Sequence, residues 1–349
     1  MNPALIDPLG RRHTQLRLSL TERCTLRCTY CMPAEGLDWT PNRLLLTTDE
    51  LERVAALFVG MGVNKVRLTG GEPLARKDAV EVARRIGAMG GVQGLAMTTN
   101  GLALEKHLPA LDEAGVTQIT LSLDTLRDDR FRTLTRRDGL DRVLGAMEAA
   151  LARGYGVGTG RPLKINVVVL RNEEASGGSV GNDDEVQDLA ALALRYPVEV
   201  RFIEWMPFAG LGWEKSALVP WTETHARIED AHGPLAPRED APDSTSRTFT
   251  FARGGPGRVG FIASMSAPFC RGCTRLRVTA DGALKVCLFG SAEVSLRDAM
   301  REGATDDDLR ALVAGAVARK KPAHDGQTIS LDALASGANA NRSMIAIGG

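Results

Sequence analysis

The chain has 349 residues, of which 44% are hydrophobic, enough for one large core or a large domain with a small one. Its 43 basic residues balance 43 acidic ones, which argues against a nucleic-acid binder, since those carry a basic excess or patch. No run of about 18 apolar residues is present to span a membrane. Met1 to Arg12 lacks the apolar centre of a signal peptide, so cytoplasmic residence with reduced thiols is expected.

In chain order, the pattern predicts strands at 15–20, 64–69, 93–98, 117–123, 163–170 and 198–204. Helical patterns lie between them, near 48–61, 77–89, 103–114, 140–153 and 183–194. Strands alternating with helices build βαβ units and a parallel sheet. Six such units suit a partial barrel, although periodicity alone does not separate that from a doubly wound sheet. Beyond about residue 210 the segments shorten. Here 246–251, 258–263, 275–279 and 283–287 read as strands, Asp281-Gly282 as a hairpin turn and 306–319 as a helix. We read 1–210 as the barrel and 211–349 as a smaller C-terminal α+β subdomain. Asn172 to Glu185 and Pro234 to Arg247 read as exposed loops.

Side chains alternate along a strand. Leu16, Leu18 and Leu20 therefore oppose Arg17 and Ser19, and Val66 and Leu68 oppose Arg67 and Thr69. Ile119, Leu121 and Leu123 oppose Thr120 and Ser122, while Ile165, Val167 and Val169 oppose Lys164 and Asn166. With the apolar faces against helices, the interior carries Arg17, Arg67, Lys164 and hydroxyls, where a barrel ordinarily packs branched apolar side chains. Buried cations without counter-charge are costly. A polyanionic ligand such as a nucleoside triphosphate would supply that charge. The alternative is that these residues meet water at strand ends or pair with acids such as Glu72 or Asp124.

The six cysteines form two triplets, Cys24, Cys28 and Cys31 (C-x3-C-x2-C) and Cys270, Cys273 and Cys287 (C-x2-C-x13-C). Structural zinc takes four protein ligands, and none of His13, His107, His225, His232 or His324 lies beside a triplet. Three thiolates suit a [4Fe–4S] cluster with one iron left free for another ligand. By spacing alone the second triplet also allows a zinc site with a distant ligand.

Cys24-Thr25-Leu26-Arg27-Cys28-Thr29-Tyr30-Cys31 resembles the radical S-adenosylmethionine signature, and Gly70-Gly71-Glu72-Pro73 resembles the GGEP segment of that superfamily. Together with Leu16 to Pro33, Arg67 to Leu74, Thr98 to Gly101, Arg201 to Met206, Cys270 to Arg277, Cys287 to Gly290 and the Gly348-Gly349 end, nearly the whole chain resembles the GTP 3′,8-cyclase family. The loop after Arg171 and the Gly-rich Gly154 to Gly160 depart from it, outside the motifs.

The resemblance implies a partial (βα)6 barrel and a lyase of molybdenum-cofactor biosynthesis. Its reaction would convert GTP to (8S)-3′,8-cyclo-7,8-dihydroguanosine 5′-triphosphate, a 5′-deoxyadenosyl radical taking H3′ and the C3′ radical attacking C8. It implies two [4Fe–4S] clusters, on Cys24, Cys28 and Cys31 and on Cys270, Cys273 and Cys287, with S-adenosylmethionine on the first and the guanine base on the second. Tyr30, Gly71, Ser122 and Met206 stand where that family contacts S-adenosylmethionine. Arg17, Arg67, Thr98, Lys164, Arg275, Leu276 (through its backbone) and Arg277 stand where it contacts GTP. It further implies an electron donor, a homodimer, a downstream cyclic pyranopterin monophosphate synthase and a catalytic role for Gly348 and Gly349, against the alternative of a frayed end. The rival reading is another radical enzyme with an auxiliary cluster, such as a peptide maturase.

Overall fold

The computed structural model describes residues 5–33, 35–172, 180–208, 215–323 and 342–348. Six parallel strands follow in order, β1 (Gln15–Ser19), β2 (Lys65–Thr69), β3 (Gly94–Thr99), β4 (Val116–Ser122), β5 (Leu163–Val169) and β6 (Glu199–Glu204). Their apolar residues alternate as expected. Leu16, Leu18, Leu68, Ile119, Leu121, Ile165 and Val167 are fully buried, packed with the helices in one core.

The helices α1 (Thr48–Gly60), α2 (Ala79–Gly87), α3 (Leu104–Glu113), α4 (Asp128–Thr135), α5 (Leu140–Ala152) and α6 (Val186–Arg195) link these strands. Helix α1 starts where Thr47 and Glu50 form a capping box, which satisfies otherwise orphaned backbone N–H groups. Helix α4 is not evident from periodicity. It is mostly polar and buries Phe131 and Leu134 below the first cysteine loop, whose Arg27 and Thr29 N–H groups donate to the Thr135 and Leu134 carbonyls at 2.9 Å each.

The remaining elements are α7 (Trp221–His232), β7 (Leu235–Pro237), β8 (Arg247–Phe251), β9 (Arg258–Ile262), β10 (Arg275–Val278), β11 (Ala283–Lys285), β12 (Val294–Ser295), α8 (Leu296–Arg301), α9 (Asp306–Val317) and α10 (Met344–Ile347). Helix α7 carries too few aliphatic residues to read as amphipathic. Its Trp221 and His225 join Phe249 and Phe261 in an edge-on aromatic cluster instead.

The fold is a partial (βα)6 barrel with a C-terminal α+β part, and the two share one sheet of twelve strands. Strand β9 pairs in parallel with β6 and β10 in parallel with β1, so the C-terminal part continues both edges of the barrel sheet. Strands β7 and β8 then extend the β9 edge, and β11 and β12 the β10 edge, antiparallel. This arrangement brings the second cysteine triplet beside β1, across from the loop that carries the first.

Candidate active site

The loop after β1 is fixed by backbone contacts to the loop after β2. The N–H groups of Gly71 and Glu72 donate to the Thr21 and Arg23 carbonyls at 2.7 and 2.8 Å. A Cβ on Gly70 would lie 2.4 Å from the Thr21 carbonyl oxygen, and one on Gly71 would lie 2.4 Å from that of Glu22. Only glycines admit this approach. The buried Glu72 carboxylate accepts from Leu74 N–H at 3.0 Å, the Thr99 hydroxyl at 2.8 Å and Asn100 N–H at 2.7 Å.

Within this loop Cys31 and Met32 N–H groups turn back onto the Cys28 carbonyl at 3.0 and 2.9 Å. Burial raises the pKa of all three thiols. Cys28 rises further through the charge of Asp124 and the two other cysteines, and Cys31 is pushed up to about 12 by burial, Cys24 and Asp124. The thiols thus feel one another across a shared space that disfavours free thiolates, and a cationic centre among them would reverse that bias.

Cys270–Gly272 forms a single 3-10 turn ahead of β10, and Cys273 N–H closes it on the Cys270 carbonyl at 3.2 Å. Arg11 donates to the Cys270 carbonyl at 2.8 Å. Burial works against ionisation of Cys273, but Arg275 and Lys320 outweigh it and bring its pKa down to about 6. No His, Cys, Asp or Glu group among the described residues is arranged to hold a metal ion directly. A single zinc would gather its sulfurs to about 3.8 Å from one another, given Zn–S bonds of about 2.3 Å. In a [4Fe–4S] cluster each thiolate binds its own iron, so the sulfurs stand wider apart, and three free thiols per triplet fit that donor set.

All six cysteines line one cavity. Tyr30, Gly71, Ser122, Met206, Arg17, Thr98, Arg275 and Arg277 line it as well, so most of the residues expected to contact S-adenosylmethionine or GTP come together here. Arg67, Lys164 and Leu276 do not. Arg67 donates to Thr98 and Thr120 hydroxyls at 3.3 and 3.0 Å, Lys164 pairs with Glu199 at 3.3 Å, and the Leu276 side chain is buried.

The sheet register sets Arg277, Arg17 and Arg67 side by side on β10, β1 and β2. Like charges directly opposite destabilise a sheet. Burial, then Arg277, Arg67, Arg275 and Arg201, push the Arg17 pKa well below its ordinary value, and burial with Arg201 presses Arg67 to about 9. Guanidiniums keep their protons in proteins, so this pressure marks a field that a bound anion would relieve. Neither Glu72 nor Asp124 supplies the counter-charge. Asp124 instead accepts from the Tyr30 hydroxyl at 2.5 Å and Val168 N–H at 2.8 Å, and burial lifts its pKa to about 6.

The acid within the barrel is Glu199, which also contacts Arg201 at 3.9 Å and Arg258 at 2.5 Å. Arg201 lines the cavity and donates twice to the Asn166 side-chain Oδ1, at 3.0 and 2.7 Å. The alternation of β6 would have pointed to Arg201. Lys320, also in the lining, had no such pattern to mark it.

The chain end returns to this cavity. Arg342 pairs with Asp281 at 2.9 Å and Glu293 at 2.6 Å, Met344 and Ile345 join the lining, and the Gly348 carbonyl accepts from Arg277 at 3.1 Å. Gly348 has φ +80°, and a Cβ there would lie 2.7 Å from Cβ of Ser19. Gly349 and His324 lie outside the described residues, as does the middle of the 172–185 loop.

Comparison with known proteins shows the family. The chain is 47% identical over 345 residues to the mitochondrial GTP 3′,8-cyclase of Arabidopsis thaliana, covering 99% of this chain and 83% of that one. The chain belongs to the GTP 3′,8-cyclase family. It is 38% identical to the GTP 3′,8-cyclase of Rhodopirellula baltica, over 92% of this chain and 87% of that one. Molybdenum cofactor biosynthesis protein 1 of Homo sapiens is 44% identical over 92% of this chain, which spans about half (48%) of that longer protein. The radical SAM superfamily pattern matches residues 18–176, and one described as Molybdenum Cofactor Synthesis C matches 198–326.

Among solved structures, Streptococcus suis SuiB bound to S-adenosylmethionine superposes with a TM-score of 0.56 at 15% identity, over 85% of this chain and 68% of that one. Methylornithine synthase superposes at 0.50 and 15%, over 92% and 86%. At such identities these share the fold. As a member of this family the chain is a radical S-adenosylmethionine enzyme whose cofactors are [4Fe–4S] clusters and S-adenosylmethionine.

Proposed function

We propose that this chain converts GTP to 3′,8-cyclo-7,8-dihydro-GTP in the cavity between the two triplets, as the first step of molybdenum-cofactor biosynthesis. The observation that carries the reading is the row Arg277–Arg17–Arg67 without a carboxylate partner among the described residues, in a barrel lined by both triplets. A triphosphate matches that charge, and planar guanidiniums suit phosphate through paired hydrogen bonds. A peptide substrate would match that charge only through carboxylates of its own.

Cys24, Cys28 and Cys31 would hold the cluster that meets S-adenosylmethionine, and Cys270, Cys273 and Cys287 the one that meets guanine. Bound there, the cofactors supply one-electron cleavage of the sulfonium to methionine and a 5′-deoxyadenosyl radical. Tyr30, Gly71, Ser122 and Met206 would then seat S-adenosylmethionine, with Asp124 fixing the Tyr30 hydroxyl. Arg17, Arg275 and Arg277 would hold the phosphates, with Thr98, Arg67 and Lys164 behind them. Fixing the base and the phosphates at opposite ends presents C3′ to the radical and then to C8, a proximity effect.

Loss of H3′, closure of the C3′–C8 bond and uptake of one electron and one proton give an isomer of GTP. Gly348, on Arg277 and against Ser19, would close the cavity from the chain end, with Gly349 beyond it. An electron donor, a homodimer and hand-over to a cyclic pyranopterin monophosphate synthase belong to the same proposal. No helix among the described residues is long and apolar enough to cross a membrane. Cytoplasmic residence is proposed from the six free thiols.

Anaerobic incubation of the reconstituted chain with GTP, S-adenosylmethionine and dithionite tests this by mass spectrometry. 5′-Deoxyadenosine together with a GTP isomer of unchanged mass is expected. 5′-Deoxyadenosine with GTP untouched would overturn the substrate assignment.

A further inference from the structure

Lys320 follows α9 and turns its side chain inward, leaving the residue 5% exposed. Its ammonium donates to the Cys273 sulfur at 3.5 Å and to the Arg275 carbonyl at 3.0 Å. No carboxylate pairs with it among the described residues. The nearby Asp7 is taken by Arg11 at 2.6 Å and His13 at 3.1 Å. A buried ammonium without a counter-ion is costly, and the anion this one faces is the sulfur of a cluster ligand. The first triplet differs. There the donors to the Cys24 sulfur are neutral, the Leu26 N–H at 3.4 Å and the Asn100 side-chain amide at 3.7 Å.

We propose that Lys320 is a positioning residue for the second cluster, holding the Cys273 thiolate and raising the reduction potential of the centre bound there. The physical reason is that one-electron reduction adds negative charge to the cluster without breaking a bond. An ammonium donating to a ligand sulfur stabilises that reduced state. The same contact ties Cys273 to the first residue of β10, so Arg275 and the cluster keep a fixed spacing. The inference rests on the cluster reading of the second triplet.

The test uses the full chain reconstituted anaerobically, as wild type, Lys320→Met, Lys320→Gln and Lys320→Arg. Iron and sulfide are measured first, followed by a dithionite titration read by electron paramagnetic resonance. The first centre is recognised by its response to S-adenosylmethionine and the second by its response to GTP. The GTP-responsive midpoint is expected to move to lower potential in the Met and Gln variants and to return in the Arg variant, with the other midpoint unmoved. An unmoved midpoint in Lys320→Met at full iron content overturns the proposal. Loss of half the iron from the Met and Gln variants but not from Arg supports it, whereas loss from all three overturns it in favour of packing. Wild-type protein holding only half the iron expected for two clusters would sink the cluster reading itself.

Discussion

The backbone N–H of Asn100 donates to the Glu72 carboxylate at 2.7 Å, and the Asn100 side chain continues to Thr25 at 2.9 Å and to the Cys24 sulfur at 3.7 Å. The GGEP carboxylate therefore staples the loop after β3 to the first cysteine loop. Glu72→Ala strands three donors, each costing about 1–3 kcal/mol if left unpaired. The variant is expected to lose the first cluster selectively, keeping about four irons per chain of the eight in two clusters. Glu72→Gln should keep more. Full iron in Glu72→Ala would show that the staple is dispensable.

The row of guanidiniums makes opposite demands on the free and bound protein. Arg17→Met keeps the bulk and removes one charge from between Arg277 and Arg67. Its stability to denaturant without GTP should be unchanged or higher, since like charges in register repel. Its affinity for GTP should fall about tenfold to a hundredfold, the worth of one charged hydrogen bond of about 1.5–3 kcal/mol. Equal GTP affinity in variant and wild type would remove Arg17 from the site.

Gly348 sits at φ +80° with no room for a side chain. Gly348→Ala should displace the chain end from Arg277 and Ser19 and lower turnover, while iron content stays at the wild-type level. Comparing product formation with total iron reads this directly. Unchanged turnover in Gly348→Ala, or after removal of the last two residues, would mean that the tail only covers the barrel.

His13, which shares Asp7 with Arg11 behind the second triplet, provides a pH dependence of stability. Burial, then the charge of Lys320, lowers its pKa from about 6.5 to about 4, and its Nδ1 has no hydrogen-bond partner among the described residues. The folded state thus refuses a proton that the unfolded chain accepts below about pH 6.5. Its contribution is fully present above pH 6.5 and is lost as pH falls toward 4, up to about 3 kcal/mol. His13→Gln should flatten that part of the stability curve in denaturant titrations. Parallel curves for the two proteins would refute the assignment.

Much of this was legible in the sequence because the barrel strands alternate cleanly, and Leu16, Arg17 and Leu18 fall on the faces that alternation assigns them. Both triplets were legible because their local spacing already defines a donor set. Helices α4 and α7 were not, because they bury Phe131 or stack Trp221 and His225 without a helical apolar stripe. Nor could spacing show that β9 and β10 would extend the barrel sheet on both edges. The same holds for Glu199, the counter-charge in the barrel, and for Lys320, which reaches Cys273 only through the tertiary fold.

The central claim is that GTP lies in the barrel with C3′ presented to the 5′-deoxyadenosyl radical. The most direct measurement is an anaerobic turnover with GTP deuterated at C3′, followed by mass analysis of the 5′-deoxyadenosine formed. Transfer of one deuterium into 5′-deoxyadenosine, with the cyclised product lacking it, is the expected result. Unlabelled 5′-deoxyadenosine from the same incubation would contradict the account.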